Sequence, residues 1–179
     1  MFYKSNSSIL ITSSQGVTLR SLDPLDAADL FLVTRPNKDW LPQFPLGALT
    51  IEQVEDFCYY AQHSSLLGDG LMAGVWMDNQ MVGHVGTHAR DHERTTGELT
   101  CWMAPGYQGR GIDCVAAELA LDHAFNRVGM REMVAVTVPH NHHFQNLLKA
   151  FDFQSGDTVN YRRPGGTSMV CTRYRLQPA

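Results

Sequence analysis

Hydrophobic and polar residues alternate along this chain with two different periods, and each change of period predicts a change of secondary structure. A period near 3.6 indicates an amphipathic helix, whereas alternation or a short apolar run indicates a strand. Residues 16–22 predict the first strand. Asp23 then supplies an N-cap and Pro24 the first helical position, so we expect a helix that ends near Pro36.

Thr50 and Gln53 have the spacing of a capping box, and apolar residues on one helical face follow them. These features predict a second helix over residues 51–63. The segment between the two helices contains several breakers together with Trp40 and Phe44. We expect it to form a loop whose aromatic side chains line a cleft.

Two apolar runs flank Asp78 and Asn79, a pair that tolerates the backbone of a tight turn, so residues 71–88 predict a β-hairpin. Residues 97–103 predict another strand, which leads into a glycine-rich loop. A helix is predicted after this loop, because its apolar residues share one face. These residues are Ile112, Val115, Ala116, Leu119, Ala120 and Ala124.

The last third of the chain predicts a further strand, a helix and a hairpin. Residues 133–138 form a short β-branched apolar run, typical of a strand buried on both faces. Asn141 can cap a helix that extends to about Phe151, and residues 153–176 predict two strands. The whole pattern predicts a mixed α/β layer whose first half is antiparallel, in a single domain over residues 1–179.

The composition excludes several classes of protein. With 179 residues, 44% of them hydrophobic, the chain is long enough for one domain with a substantial core. A net charge of -4 argues against nonspecific nucleic-acid binding, which requires a basic surface. We expect a soluble, cytosolic protein, since a secretion signal and a membrane-spanning apolar run are both absent from the sequence. The four cysteines lack a CxxC pair and are expected to be reduced.

Gly106, Gly109 and Gly111 lie between a predicted strand and a predicted helix. In such a connection several backbone N–H groups point at one place beside the positive end of the helix dipole, which favours a phosphate group. Glycine lets the oxygens of a ligand approach the backbone and accommodates positive φ angles. Arg110 adds a mobile positive charge. We therefore expect a phosphate-binding loop.

Two common phosphate-binding motifs do not fit this loop. A nucleoside-triphosphate loop requires Lys followed by Ser or Thr, and neither pair follows Gly111. A dinucleotide fingerprint would have Cys114 at its third glycine. The acid nearest the required distance, Glu132, precedes the next strand instead of ending it.

A third interpretation rests on a resemblance. The loop Gln108-Gly109-Arg110-Gly111-Ile112, after a strand and a proline, resembles the Q/R-x-x-G-x-G/A loop of the GNAT acetyltransferase superfamily, which binds the pyrophosphate of acetyl-CoA. The segment GHVGTHARDHERTTGELTCWMAPGYQGRGI is similar to the central strands of its ribosomal-protein N-terminal acetyltransferase group. VPHNHHFQNLLKAFDF is similar to the second CoA segment of that group, and DWLPQFP to its substrate-side segment. The matches cover roughly residues 15–176.

The resemblance implies an α/β (α+β) fold with a mixed, mostly antiparallel seven-stranded sheet, about four flanking helices and central strands that splay apart. It implies acetyl-CoA as the cofactor, with the pantetheine arm between strands 97–103 and 133–138. Asn141 would bind the pantetheine amide, and a homodimer is plausible by the same resemblance. The remaining cofactor-binding residues would be Met103, Gln108, Gly109, Arg110, Gly111, Ile112 and Asp113.

Three residues depart from the pattern of the family. Asp113 replaces glycine or alanine, and its carboxylate either repels the pyrophosphate by roughly 1 to 4 kcal/mol for each charge or turns outward in the first helical turn, where the dipole favours it. Phe144 stands at a cofactor-contacting position where the group often has serine, and it cannot form that hydrogen bond. Asp152 replaces the glycine that ends the helix, which aspartate tolerates.

Acetyl transfer from a thioester to a primary amine requires a neutral amine and a path for its proton. Glu98 lies where a glutamate appears in the group, so it is the first candidate for the base. His84 and His88 on the preceding strand are further proton acceptors, because histidine titrates near neutral pH. The residues expected to shape the acceptor pocket are Trp40, Phe44, His88 and Tyr161.

The histidine cluster His140, His142 and His143, with His123 earlier, does not predict a metal site, because it lacks the i, i+4 spacing of a zinc helix and an accompanying acid. The leading hypothesis is therefore an acetyl-CoA-dependent N-acetyltransferase that acts on a protein N-terminus or a small amine. The departures at residues 113 and 144 leave two alternatives. One is a noncatalytic CoA-binding or regulatory module, and the other is a protein-interaction domain without cofactor.

Overall fold

The computed structural model describes residues 9–35, 50–162 and 168–178. Within these ranges the chain forms eight strands and four α-helices. The helices are α1 (Ala27–Thr34), α2 (Ile51–Leu67), α3 (Ile112–Asp122) and α4 (His142–Ala150). The strands are β1 (Leu10–Thr12), β2 (Thr18–Ser21), β3 (Gly70–Met77), β4 (Gln80–Ala89), β5 (Thr96–Met103), β6 (Glu132–Thr137), β7 (Gln154–Arg162) and β8 (Ser168–Leu176).

All eight strands belong to one sheet, in the order β1-β2-β3-β4-β5-β6-β8-β7. Neighbouring strands are antiparallel except β5 and β6, which are parallel. This arrangement confirms the predicted α/β fold with its mostly antiparallel sheet. The described strands number eight where seven were predicted, because β1 is only three residues long and gives no periodic signal in the sequence.

The sheet divides between its two parallel strands. β5 and β6 form only three residue pairs, from Thr96 opposite Glu132 to Glu98 opposite Val134. β5 then continues to Met103, while β6 pairs with β8 on its other side. The two strands separate toward their carboxyl ends and leave a wedge between them, so the expected splay of the central strands is confirmed.

The helices cover both faces of the sheet, and alternate residues of β3 show how. Leu71 and Val75 join a core cluster with residues of α3 and α4, whereas Met72 and Trp76 join a cluster with residues of α1 and α2. We call these sides the α3–α4 face and the α1–α2 face. No helix within the described ranges is both long and apolar enough to span a membrane.

Local signals set the element boundaries much as predicted. The side chain of Thr50 accepts from the N–H of Gln53, and the reciprocal half of the capping box is also present. α2 extends to Leu67, four residues beyond the predicted end, where Gly68 adopts a left-handed conformation. The hairpin between β3 and β4 is confirmed, with Asp78 and Asn79 at positive φ. α1 follows a 3-10 turn over Pro24–Asp26.

β6 differs from its prediction. Met133, Ala135 and Thr137 are buried, but Val134 and Val136 are only partly buried, so the strand is covered fully on one face. The expectation of burial on both faces was wrong, because α1 and α2 lie mainly over β3 and β4. An apolar run therefore did not reveal how far the helical layer extends.

Candidate active site

The glycine-rich loop joins the end of β5 to α3. Gly109 and Gly111 adopt φ angles of 68° and 76°, which residues with a Cβ rarely adopt, whereas Gly106 does not have a positive φ. A Cβ built on Gly109 or Gly111 would meet no atom within 4 Å. Two of the three glycines are therefore required by the backbone, and a ligand can approach both of them.

Other residues of the loop fix its shape. Gln108 donates from Nε2 to the backbone oxygen of Met103 at 2.9 Å, which ties the loop to the end of β5. The guanidinium of Arg110 lies 5.3 Å from the ring centroid of Tyr107, on the exposed side of the loop. Met103 and Ile112 are buried in the core cluster of the α3–α4 face. Both therefore anchor the loop to the core.

The amino-terminal end of α3 is open to a ligand. Gly111 is its N-cap, and no side chain forms a capping hydrogen bond there. The N–H groups in the first turn of an α-helix have no intrahelical acceptor, and the helix dipole adds a positive potential. The loop and α3 together present donors that suit a diphosphate.

Asp113, in the first turn of α3, does not turn to solvent. Its side chain is 7% exposed, and its Oδ2 lies 2.7 Å from Nε2 of His143 on α4. The alternative of an outward side chain was wrong, because α4 supplies a partner and covers the carboxylate. Burial raises the pKa of the Cys101 and Cys114 thiols, and the charge of Asp113 raises both further, so these thiols stay protonated at neutral pH.

Asn141 and Phe144 lie at the start of α4. Oδ1 of Asn141 accepts the backbone N–H of Phe144 at 3.2 Å, as expected of an N-cap, which leaves the Nδ2 amide to donate to a ligand. The ring of Phe144 is buried in the core cluster of the α3–α4 face. Cofactor contacts by Asn141 and Phe144 stay predictions.

Glu98 lies at the closed end of the wedge, on the α1–α2 face, and is buried. Its Oε2 lies 2.5 Å from Nη1 of Arg90 and 3.9 Å from Nε2 of His88, the residue directly opposite on β4. Burial lowers the pKa of His88, and the charge of Glu98 opposes this shift. The pKa of Tyr161 is raised, first by burial and then by the charge of Glu98. Glu98 thus forms a cluster with Arg90 and His88, and its charge acts on Tyr161 of β7.

His84 lies on the same face but in the core. It is fully buried, beside the backbone of Ala73, with ring contacts to Phe57 and Trp102. Burial lowers the pKa of His84 to about 4, so the ring is neutral at neutral pH. Its surroundings are those of a core residue and not of a solvent-accessible proton carrier.

A polar cavity of about 410 Å³ adjoins the Glu98 cluster. Its walls come from α2, the end of β4 and the segment that follows, and they include Tyr60, Ser64, His88 and Arg90. Among the described residues, the buried Nδ1 of His88, a residue of the cavity wall, has no hydrogen-bond partner. The cavity thus offers room and hydrogen-bonding groups beside Glu98. Trp40 and Phe44 lie outside the described residues.

Sequence reasoning did not find Arg90 or His143. Arg90 was within reach, because His84, His88 and Arg90 follow the period of two that places side chains on one face of a strand. His143 was considered only as a metal ligand, and its contact with Asp113 depends on how two helices are placed. In the described part of the chain, no group of three or more metal-binding side chains is found.

Comparisons with known proteins agree with this geometry. The family described as acetyltransferase (GNAT) domain matches residues 17–154. The putative ribosomal N-acetyltransferase YdaF of Bacillus subtilis (strain 168) is 25% identical over 126 residues, which cover 67% of this chain and 68% of that protein.

Two solved structures illustrate the shared fold. RimL, a ribosomal L7/L12 alpha-N-protein acetyltransferase in complex with coenzyme A, has a TM-score of 0.80 and 20% identity, over 94% of this chain and 98% of that chain. The microcin C7 self-immunity acetyltransferase MccE, in complex with acetyl-CoA and AMP, has a TM-score of 0.78 and 18% identity, over 92% and 94%. At these identities the likeness is one of fold.

Proposed function

Because this chain belongs to the GNAT acetyltransferase family, we propose that it transfers an acetyl group from acetyl-CoA to a primary amine, of a protein N-terminus or of a small molecule. The observation that carries the proposal is the loop after β5. Two glycines at positive φ lead there into a helix without a side-chain cap, at the open end of the wedge. RimL and MccE, which share the fold, hold coenzyme A and acetyl-CoA respectively.

The residues around the wedge fit the cofactor. Gly109, Gly111 and the first turn of α3 would bind its diphosphate, and Asn141 its pantetheine amide. Met103 lies five positions after Glu98 in the extended strand, which is about 16 Å at the usual rise per residue. Beyond Glu98 the backbone of β5 forms no strand pairing with β6. Its free groups would pair with the pantetheine arm, whereas the oxygen of Met103 already accepts from Gln108. When bound, acetyl-CoA supplies the thioester whose carbonyl carbon the amine attacks.

Glu98 would accept the proton of the amine, directly or through water. Arg90 holds the carboxylate in place through a charge-assisted hydrogen bond. His88 provides a second proton acceptor 3.9 Å from Glu98, and its pKa, lowered by burial, keeps the ring neutral at neutral pH. The raised pKa of Tyr161 keeps its phenol protonated, so it would serve as a hydrogen-bond donor beside the amine.

The polar cavity next to His88 and Arg90 would receive the acceptor. The amine would reach Glu98 from the α1–α2 face, while the diphosphate lies at the far end of the wedge. A polar group of the acceptor would satisfy His88 Nδ1. Trp40 and Phe44 stay predicted contributors to this pocket.

Two measurements test the proposal. Calorimetry should detect acetyl-CoA binding at concentrations up to hundreds of micromolar, and release of free thiol should accelerate in the presence of amines or N-terminal peptides. No detectable heat would contradict every function that uses the cofactor. Binding without acetyl transfer to any acceptor, with mass spectrometry as the readout, would favour a noncatalytic CoA-binding module instead.

The proposal extends to the protein as a whole. We propose a single cytosolic domain over residues 1–179 that can pair as a homodimer. Light scattering coupled to size-exclusion chromatography measures the mass in solution. A strictly monomeric mass at tens of micromolar would remove the dimer and leave the proposed chemistry intact.

A further inference from the structure

The first turns of α3 and α4 lie side by side. α3 follows β5 and α4 follows β6, and these two strands are parallel, so both helices begin at the same edge of the sheet. Both also pack on the α3–α4 face. Asp113 is the second residue of α3 and His143 the second of α4. Their contact therefore joins the two helices at the open end of the wedge.

The carboxylate of Asp113 creates an electrostatic problem at this place. It is buried, two residues after Gly111, in the helical turn that is proposed to bind a diphosphate. In a partly desolvated site, a carboxylate within a few ångströms of a diphosphate strongly weakens the binding of that diphosphate, because like charges repel. The imidazole of His143 contacts the carboxylate at 2.7 Å and is itself half exposed.

We propose that His143 is a positioning residue of the cofactor site, which acts through Asp113. It supplies the counter-charge that lets a diphosphate bind beside a buried carboxylate. This inference rests on the proposed function, because it requires the loop after β5 to bind acetyl-CoA. It concerns Asp113, which stands where the family resemblance leads us to expect glycine or alanine.

The charge of the pair depends on the proton of His143. Nε2–H donates to the carboxylate in both states, but the protonated pair has no net charge and the neutral imidazole leaves a charge of -1. CoA binding should therefore be tighter in the protonated state, which a lower pH favours.

The other titratable groups near the pair do not cancel this effect. Cys101 on β5 and Cys114 on α3 stay protonated, because burial and Asp113 raise the pKa of both thiols. His140 and His142 are exposed residues of the same segment as His143, and a substitution of His142 is the matched control.

The test is calorimetric titration of the protein with CoA at pH 6 and pH 8.5. The variants are His143→Gln, His143→Arg, Asp113→Asn, the Asp113→Asn/His143→Gln double variant, and His142→Gln as the matched control. Thermal melts without ligand establish that each variant is folded. The phosphate of the ligand also titrates near pH 6, so the pH dependence is compared between variants, in which this contribution is the same.

At pH 6 His143→Gln should weaken CoA binding by at least about fivefold, and much less at pH 8.5. His143→Arg should retain tight binding at both pH values, because its charge is permanent. In the Asp113→Asn background, His143→Gln should have little effect. His142→Gln should behave as the unmodified protein.

Three results would overturn the inference. The first is binding by His143→Gln within twofold of the unmodified protein at pH 6. The second is an equally large effect of His143→Gln with and without Asp113, and the third is loss of binding in the folded His143→Arg variant. Absence of binding in both the unmodified protein and Asp113→Asn would instead refute the proposed function, and this inference with it.

Discussion

The carboxylate of Glu98 has two contacts: Arg90 holds it in place, and His88 is a second group that can accept a proton. Arg90 binds Oε2, and His88 lies within 4 Å of the same atom. A carboxylate held in this way has little freedom to move, which suits the proposed role of a base that must meet each incoming amine. The same pairing makes Glu98 a structural residue as well, so its two roles must be separated by experiment.

We predict that Glu98→Gln lowers kcat about 100-fold, the lower end of what general-base catalysis contributes, and leaves the affinity for acetyl-CoA within twofold. Glutamine is nearly isosteric and can still accept from Arg90, but it does not accept a proton. Steady-state thiol release and calorimetry measure the two quantities. Glu132→Gln is the matched control, because Glu132 is a partly buried carboxylate on β6 whose contact with Arg175 is 3.8 Å long. Equal turnover in both variants would remove Glu98 from the mechanism.

His84 provides a prediction about stability and pH. Its pKa is about 4 in the folded chain and 6.5 as an ordinary histidine, because burial disfavours the charged ring. Below about pH 6.5 the unfolded chain therefore binds a proton that the folded chain does not. The free energy of unfolding should fall as the pH drops from 6.5 toward 4, by roughly 3 kcal/mol from this residue.

Urea denaturation at pH 7 and pH 4.5 measures this effect, and His84→Gln should reduce the loss on acidification. His63→Gln is the control, since His63 is exposed on α2. Carboxylates also titrate in this range, but they contribute equally to both variants. A loss of stability on acidification that is the same in His84→Gln and the unmodified protein would contradict the assignment.

The side chains of the site were predictable from the sequence to different degrees. Glu98 and His88 share one face through strand periodicity, and the structure pairs them across β4 and β5. The orientation of Asp113 was not predictable, because its partner His143 is thirty positions away and their contact depends on the placement of two helices. Local patterns report which face a residue occupies, and contacts between elements require the tertiary arrangement.

Helix and turn boundaries depend on local backbone chemistry, and most of them were predictable. The capping residues Thr50 and Asn141 begin α2 and α4, as their side-chain hydrogen bonds show. Asp152 adopts the left-handed conformation expected of it after α4, with a φ of 60°. β1 was missed because a strand of three residues has too few positions to show alternation.

The connection between β5 and α3 allows a comparison within one loop. Gly111→Ala should destabilise the fold by about 1 to 2 kcal/mol, the cost of a left-handed conformation for a residue with a Cβ, and should weaken CoA binding. Gly106→Ala is the control, because this glycine has no positive φ and a Cβ there would meet nothing within 4 Å. It should leave stability unchanged or slightly raised.

Chemical denaturation and calorimetry measure the two effects of these substitutions. Equal stability and equal CoA affinity in the Gly111→Ala and Gly106→Ala variants would show that the left-handed turn at residue 111 is not required. A loss confined to CoA affinity would show instead that the turn can form with alanine, and that the added methyl group obstructs the ligand.

The core connects distant parts of the chain. One cluster on the α3–α4 face contains Val17 from the region before β2, Leu71 from β3, Ala116 from α3, Leu148 from α4 and Tyr174 from β8. Residues so far apart in sequence contribute to the same buried surface, which is the condition for cooperative unfolding.

We therefore predict one cooperative thermal transition for the chain, with equal calorimetric and van't Hoff enthalpies. Acetyl-CoA should raise its midpoint in a concentration-dependent manner, because a ligand that binds only the folded state stabilises it. Differential scanning calorimetry tests both expectations. Two separable transitions would contradict a single domain over residues 1–179.

The short pairing between β5 and β6 also bears on local motion. Three residue pairs connect the backbone of β6, β8 and β7 to the rest of the sheet, so these three strands can move as a group relative to β5. Few backbone hydrogen bonds have to break for this movement, and local opening between β5 and β6 should precede global unfolding. Amide exchange should be faster in β7 and β8 than in β3 and β4, and a ligand bound between β5 and β6 would slow it.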